Sequence, residues 1–304
     1  LFRSIIVIDE AQRVSEIGLT LKRITDNFTN VQLLVTGSSS FELQSNLNEP
    51  LTGRKYEYHL YPISTAELYD SQGLLPVKQM FESRLIYGSY PDIINHTDEA
   101  KELLMNIANS YLYKDLLAMN EIRRPILLEK LLIALALQVS SEVSYNEVAQ
   151  TIGTDNKTVE KYIDLLEKCY VIFRLNAFNR NLRTELKKSK KIYFYDNGIR
   201  NAVIQNFAPL SLRQDTGALW ENFFISERIK ANHYNGNYAK SFFWRTTQQQ
   251  EIDYIEEADG NFTAFEMKWN PNKRPITFPS PFLNNYPVKE TVVITPENYL
   301  EWVM

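Results

Sequence analysis

Cysteine is almost missing from this 304-residue chain. Cys169 stands alone, so no intramolecular disulfide can form, and the chain fits a reducing, cytoplasmic setting. Histidine is nearly as scarce. His59, His96 and His233 lie far apart in sequence, none in an HExxH spacing, and with one thiol they offer no zinc ligand set. No GxSxG elbow occurs, which removes the usual local signature of a serine nucleophile. No apolar run approaches the ~20 residues of a membrane helix; the densest, residues 126–139, is interrupted by Glu129, Lys130 and Gln138. A large charge of one sign is lacking too. The formal net charge of -4 argues against a protein that coats nucleic acid nonspecifically, so any such contact must come from local patches. The opening residues, Leu1-Phe2-Arg3-Ser4, show neither an initiator Met nor a signal-peptide pattern and run straight into a strand. The expectation is a fragment without its natural N-terminus.

What is present is enough apolar material, 44% of residues, for two or three domains. Residues 4–8 (SIIVI) form a continuous β-branched run, the pattern of a strand buried on both faces of a parallel sheet. Helical spacing follows over 14–26, with Ile17, Leu21 and Ile24 on one face. A second apolar strand, VQLLVT, spans 31–36. Strand, helix and strand with short connections make a βαβ unit. Residues 56–60 read as a third strand. Residues 64–139 are mostly helical, with a break at 88–91. Ser144, with Glu147 three residues on, is a capping-box start. Gly153 ends that helix, Asp155 caps the next, and a strand starts at Val171: the cadence of a winged helix. From Lys191 onward α/β periodicity returns, with strands at 192–195 and 241–245 and a helix over 218–231. A hairpin then joins 251–256 to 261–269 around Ala258-Asp259-Gly260, and a last strand covers 292–295.

The first chemical constellation is Ile5-Ile6-Val7-Ile8-Asp9-Glu10, an apolar strand that ends in two acids. Ligands of open parallel sheets bind at the carboxyl ends of the strands. There Asp9 suits the water shell of a nucleotide-bound Mg2+, and Glu10 suits the attacking water, because phosphoryl transfer rests on positioning and charge neutralisation. Thr36 and Ser38, at the end of the neighbouring strand, suit the γ-phosphate or the water. For the acidic string alone, a strand simply meeting solvent is an equal reading. With Ala11-Gln12 and the VTGSSS strand end added, the pieces resemble the AAA+ ATPases of the AAA_14 type. The resemblance covers Asp9 to Gln12, Thr36 to Ser40, Gly53-Arg54 and Pro62-Ile63-Ser64. It implies a nucleotide-binding core, ATP and Mg2+ as cofactors, Asp9 and Ser38 as cofactor-binding residues and Arg54 as a phosphate sensor; a surface ion pair is the equal alternative for Arg54. The phosphate-binding GxxxxGK[ST] loop is found nowhere in the 304 residues. ATP is therefore not expected to bind tightly to this chain alone.

The helix-turn-helix cadence would present Asn156, Lys157, Glu160 and Lys161 to a DNA groove. From Thr154 to Cys169, however, acids outnumber lysines, which favours a packing module over a DNA reader. The basic exception is 179–191, with Arg180, Arg183, Lys187, Lys188, Lys190 and Lys191 against Glu185: a nucleic-acid contact or a solvated connector.

The last constellation lies in the hairpin. Asp253 sits on its first strand, and Glu266 and Lys268 on its second. Residues i and i+2 share a strand face, so Glu266 and Lys268 point together while Phe265 and Met267 turn into packing. Metal-dependent phosphodiester cleavage needs carboxylates converging on Mg2+ and a cation near the phosphate. Asp253 and Glu266 fit as metal ligands, Lys268 as the group that orients or deprotonates water, and Glu221 as an accessory ligand from the preceding helix. This is similar to the PD-(D/E)xK pattern of restriction-endonuclease-like domains. The context of 191–200, 217–222 and 244–245 resembles the C-terminal domain of unknown function that accompanies AAA_14 ATPases.

The expected architecture is α/β in four stretches: half of an AAA+ core (1–70), a helical lid or connector (71–140), a winged helix (141–178) and a restriction-endonuclease-like domain (179–304). The expected activity is Mg2+-dependent ATP hydrolysis by the intact protein. Two rivals stand beside it: a nucleic-acid nuclease regulated by the ATPase half, and a non-catalytic, nucleotide-switched partner-binding module. DNA or another nucleic acid and a protein are the expected partners, with no membrane.

Overall fold

A computed structural model describes residues 4–37, 54–109, 124–179, 190–270 and 276–304. The chain divides into two compact units, residues 1–60 with 163–170, and residues 61–162 with 171–304.

The smaller unit holds the expected βαβ arrangement. Strand β1 (Ser4–Ile8) pairs in parallel with β2 (Val31–Val35), and helix α1 (Ile17–Asn27) connects them. Ala11, Ile17 and Leu21 pack with Ile8, Leu33 and Val35. Burial of β1 on both faces does not hold here: Ile5 and Val7 are 66% and 60% exposed, and Leu34 is 54% exposed. Among the described residues α1 covers one side of the pair, whereas a fully buried parallel sheet needs helices on both. The third strand expected at 56–60 is likewise absent. That segment has no regular structure, and Tyr56, Tyr58 and Leu60 stand almost fully exposed.

The larger unit is built on one mixed sheet of seven strands, ordered β3-β5-β4-β6-β7-β8-β9. Before the sheet come α2 (Thr65–Gln72), α3 (Leu74–Gln79), α4 (Phe81–Tyr87), α5 (Pro91–Asn95), α6 (Ala100–Ile107) and α7 (Pro125–Leu137). Helix α2 starts in a complete capping box between Ser64 and Glu67. Strand β3 (Glu142–Val143) precedes α8 (Tyr145–Ile152) and α9 (Asn156–Lys168), of which residues 163–168 are counted with the smaller unit; β4 (Ile172–Ala177) and β5 (Lys190–Phe194) follow. Ser144 accepts from the Glu147 N–H, Gly153 closes α8 in the left-handed region, and Asp155 accepts from the Thr158 N–H at 2.9 Å. β5 pairs antiparallel with both β3 and β4, so the helix pair α8–α9 is flanked by a short antiparallel sheet. The same sheet continues through a parallel contact from β4 to β6 (Lys240–Arg245), so the expected boundary at 178/179 falls inside the sheet.

Helix α10 (Asn197–Val203) and the long α11 (Thr216–Tyr234) come before β6. Beyond it lie β7 (Glu251–Ala258), β8 (Asn261–Met267), α12 (Ser280–Asn285), β9 (Val288–Ile294) and α13 (Leu300–Val303). The β7–β8 turn is Asp259-Gly260, both at positive φ, as a tight hairpin requires. Alternation puts Phe243, Tyr254, Phe265 and Met267 in the main core with Trp220, Phe223 and Phe224 of α11. Phe242, Trp244, Ile252, Phe262 and Ala264 pack with Phe282 of α12. Leu85 and Ile86 of α4 belong to the main core as well, so the stretch expected as a lid or connector contributes to it directly.

Candidate functional site

At the carboxyl end of β1 the chain turns sharply, with Glu10 in the left-handed region at φ 51°. Non-glycine residues held there are uncommon and cluster at functional sites. The turn is pinned to the next strand: Thr36 N donates to Ile8 O and Ala11 N to Thr36 O, both at 2.9 Å. Thr36 Oγ1 donates to the Asp9 carboxylate and accepts from Glu10 N. Asp9, Glu10 and Thr36 therefore meet at one strand end. Asp9 is exposed there, and Glu10 also faces Arg13 at 3.5 Å. Arg54 is not brought to them. It pairs with Asp26 near the end of α1, which leads into the opposite end of β2. Ser38 lies outside the described residues, as do Arg180, Arg183, Lys187 and Lys188. Lys157 and Lys161 sit on the exposed face of α9 beside Asn156 and Glu160.

In the larger unit Glu221, Asp253, Glu266 and Lys268 do come together. Asp253 lies where β7 bulges: Phe242 pairs with Ile255 and Trp244 with Ile252, so Phe243 alone faces Asp253 and Tyr254. Bulges re-aim side chains and recur beside active sites. The β7–β8 pairing stops at Tyr254 and Phe265, and the Asp253 carboxylate takes the next backbone N–H, that of Met267, at 3.0 Å. Lys268 Nζ stands 2.8 Å from Glu266 and 3.7 Å from Asp253. On α11, Glu221 is fixed through its neighbour. Asn222 accepts from Phe194 N at 2.8 Å and donates to Phe194 O at 3.0 Å, which locks the helix to the end of β5.

Sequence reasoning missed Tyr193 and Glu251 and placed Lys191 in a basic run open to nucleic acid or solvent, whereas it is buried among acids. Lys191, 2% exposed, reaches Glu251 at 2.6 Å and Glu221 at 3.2 Å, and the Tyr193 hydroxyl donates to the same Glu221 oxygen at 2.6 Å. Glu251 also faces Arg245 at 3.4 Å, and Arg245 reaches Glu142 of β3 at 3.1 Å. The available signal was the i, i+2 pairing of Lys191 with Tyr193 and of Glu251 with Asp253, each pair on one strand face.

Carboxylates outnumber the ammonium groups among them, and the ionisation equilibria respond. Burial, with the Asp253 charge beside it, pushes Glu221 up to about 7 against the pull of Lys191 and Tyr193. Burial and Asp253 likewise push Glu266 up to about 7, against Lys268. Burial alone would lower the Lys191 ammonium, but Glu221, Asp253 and Glu251 outweigh it and raise it. Among the described residues no three His, Cys, Asp or Glu side chains already stand as a metal-binding group. Lys191 and Lys268 occupy the space between the acids instead. The donor set still suits a hard divalent cation: oxygen ligands only, with negative charge in excess and mutually repelling. Asp253 and Glu266 would hold such an ion, with Glu221 beside them.

Asn222→Ala is expected to leave the Phe194 N–H and C=O buried without partners and to cost about 3 kcal/mol, at ~1–3 kcal/mol per group. Trp220, Trp244, Trp269 and Trp302, the chain's four tryptophans, all lie in the larger unit, so a fluorescence denaturant melt reads this loss there.

Three family models match the chain: an AAA domain over residues 2–69, and domains of unknown function over residues 78–210 (DUF8612) and 216–301 (DUF4143). The first marks an AAA-type module at the beginning of the sequence, of the kind found in ATPases. The second runs from α3 across β3, α8, α9, β4, β5 and α10 to Leu210, again without a break at 178/179. The chain is 27% identical to an uncharacterized protein of Haemophilus influenzae, over 65% of this chain and 52% of that protein. It is 25% identical to an uncharacterized protein of Mycobacterium tuberculosis, over 87% and 58%. An uncharacterized protein of Methanocaldococcus jannaschii is 23% identical, over 81% and 57%. The chain thus spans somewhat over half the length of the curated relatives it matches. No solved structure matches it. No helix among the described residues is long and apolar enough to cross a membrane.

Proposed function

We propose that this chain supplies the metal- and water-orienting carboxylates of a Mg2+-dependent AAA-type ATPase and carries a restriction-endonuclease-like domain. The observation that carries the first part is the meeting of Asp9, Glu10 and Thr36 at the carboxyl ends of two parallel strands, within the stretch that matches an AAA domain. In this reading Asp9 orients the water shell of Mg2+, Glu10 orients the attacking water, and Thr36 holds both acids in place. Ser38 would add a phosphate contact; Arg54, held by Asp26, is left out. The test is ATP turnover by the protein at its full natural length, beside the same protein carrying Glu10→Gln. Loss of turnover with ATP binding retained is expected. No ATP binding and no turnover by either protein overturns the reading.

A second activity is supported by the cluster of Glu221, Asp253, Glu266 and Lys268: cleavage of nucleic-acid phosphodiesters with a divalent cation. The cation would supply charge neutralisation at the phosphate. The protein's part is to hold the acids and to keep the Lys268 ammonium between Asp253 and Glu266, where it can orient water. The full-length protein is expected to cut DNA or RNA only with Mg2+ or Mn2+ and to lose this with Asp253→Ala. Absence of cleavage across varied substrates, together with DNA binding that does not weaken with salt or no binding at all, favours instead a non-catalytic partner-binding module.

A further inference from the structure

We propose that Tyr193 is a positioning residue for Glu221: its hydroxyl fixes the orientation in which that carboxylate joins Asp253 and Glu266 at the cation site. The inference rests on the reading of the cluster as a divalent-cation site and adds a residue outside the acid–lysine pattern of that cluster.

Tyr193 is fully buried on β5, the strand that pairs antiparallel with β4. Its ring is stacked on Phe173 of β4 at 5.5 Å and 19°, so the hydroxyl has one direction available. That hydroxyl donates to Glu221 Oε1 at 2.6 Å. Lys191, two residues earlier on the same face, donates to the same oxygen at 3.2 Å. Both donors fall on Oε1, which leaves Oε2 as the oxygen of Glu221 that a cation would use. Lys191 is itself held by Glu251, and Asn222 locks the helix to the backbone of Phe194. The carboxylate is therefore fixed from both sides, by the helix that carries it and by the neighbouring strand. Fixed hydrogen bonds to a metal-binding carboxylate orient the ligand, and their loss costs about 10–100-fold in metal affinity. Tyr193→Phe deletes the donor while keeping the ring and its packing on Phe173. Its effect on cation binding thus reports the loss of that one hydrogen bond to Glu221.

The experiment is Mn2+ binding to the full-length protein, followed by the electron paramagnetic resonance of the free ion. Wild type is compared with Tyr193→Phe, Glu221→Gln, the double variant and Asp253→Asn. Expected are binding by wild type, loss with Asp253→Asn, and at least about tenfold weaker binding with Tyr193→Phe. Because Tyr193 acts through Glu221, adding Tyr193→Phe to Glu221→Gln is expected to weaken binding no further. Tyr193→Phe with wild-type affinity overturns the positioning role while the cation site stands. An equal, additional loss in the Glu221→Gln background overturns it too, since Tyr193 would then act elsewhere. No Mn2+ binding by wild type, or binding indifferent to Asp253→Asn, brings down the cation-site reading itself and the inference with it.

Discussion

Gly198→Ala is expected to cost more than about 4 kcal/mol and to leave the larger unit largely unfolded, because no slack exists where α10 meets the end of α4. A Cβ at Gly198 would lie 2.1 Å from the Tyr87 carbonyl oxygen and 2.9 Å from Asp196 Oδ1. The nearest neighbour is backbone, which cannot rotate away as a side chain would. The surrounding hydrogen bonds show why the approach is so close. Asn201 donates to Ile86 O at 2.8 Å and Asn197 to Leu85 O at 3.2 Å, so these side chains satisfy the carbonyls that the end of α4 leaves unpaired. Asp196 accepts from Ser89 N at 2.7 Å and from Ile199 N at 3.1 Å, tying the next turn to the start of α10. Moving α10 outward by an ångström would break the whole set. Gly217→Ala is the matched control. Nothing lies within 4 Å of its Cβ, and it sits in the first turn of α11, so a neutral to slightly stabilising change is expected. Tryptophan fluorescence in a denaturant series compares the two. A Gly198→Ala protein that melts with wild type would mean that this contact is not close.

The parts of the fold that were legible in the sequence are those fixed by local chemistry. The Asp259-Gly260 turn between two alternating strands fixes the hairpin register, and with it Asp253 opposite Glu266 and Lys268. Ser144, Gly153 and Asp155 mark the helix ends they stand at. The βαβ start was visible as two apolar runs around an amphipathic helix. What stayed hidden depends on which elements become neighbours. Residues 192–195 read as an ordinary strand and Lys191 as the end of a basic run, and nothing local says that Lys191 is buried or that it and Tyr193 will face Glu221 of α11 and Glu251 of β7. The exposure of Ile5 and Val7 is a matter of what covers β1, which its own residues cannot specify. YEYHL at 56–60 has strand composition, yet composition makes no strand without a partner edge. For Arg54, a basic side chain beside a glycine pointed equally to a phosphate and to an ion pair, and the structure pairs it with Asp26.

Glu227→Gln is expected to destabilise the larger unit by about 3–5 kcal/mol, the usual cost of removing one partner from a buried charge group. Glu227, Arg84 and Lys230 are all nearly inaccessible to solvent. The Glu227 carboxylate accepts from Lys230 at 2.7 Å, from Thr65 N at 2.5 Å and from Thr65 Oγ1 at 2.6 Å, with Arg84 at 3.3 Å. It thus caps the start of α2 with negative charge while it faces two buried cations. The amide has nearly the same shape but removes the carboxylate that both Arg84 and Lys230 contact; of the two, Lys230 still faces the buried Asp196. A pH dependence separates this from a loss of packing. Burial alone would push the Glu227 carboxyl up, but Lys230, Arg84 and the hydrogen bonds outweigh it and hold it down at about 2, against 4.5 for a free glutamate. A depressed folded-state value means that the ionised carboxylate contributes its full stability above 4.5. That contribution is lost as the pH falls from there toward 2. The deficit of Glu227→Gln relative to wild type, measured by denaturant melts at a series of pH values, is therefore expected to be constant from pH 7 to 5. It should shrink steadily below 4.5, as wild type loses a charge the variant never had. A deficit that holds its size down to pH 2.5 would mean that shape, and not the negative charge of Glu227, is what α2, α4 and α11 require at their meeting point.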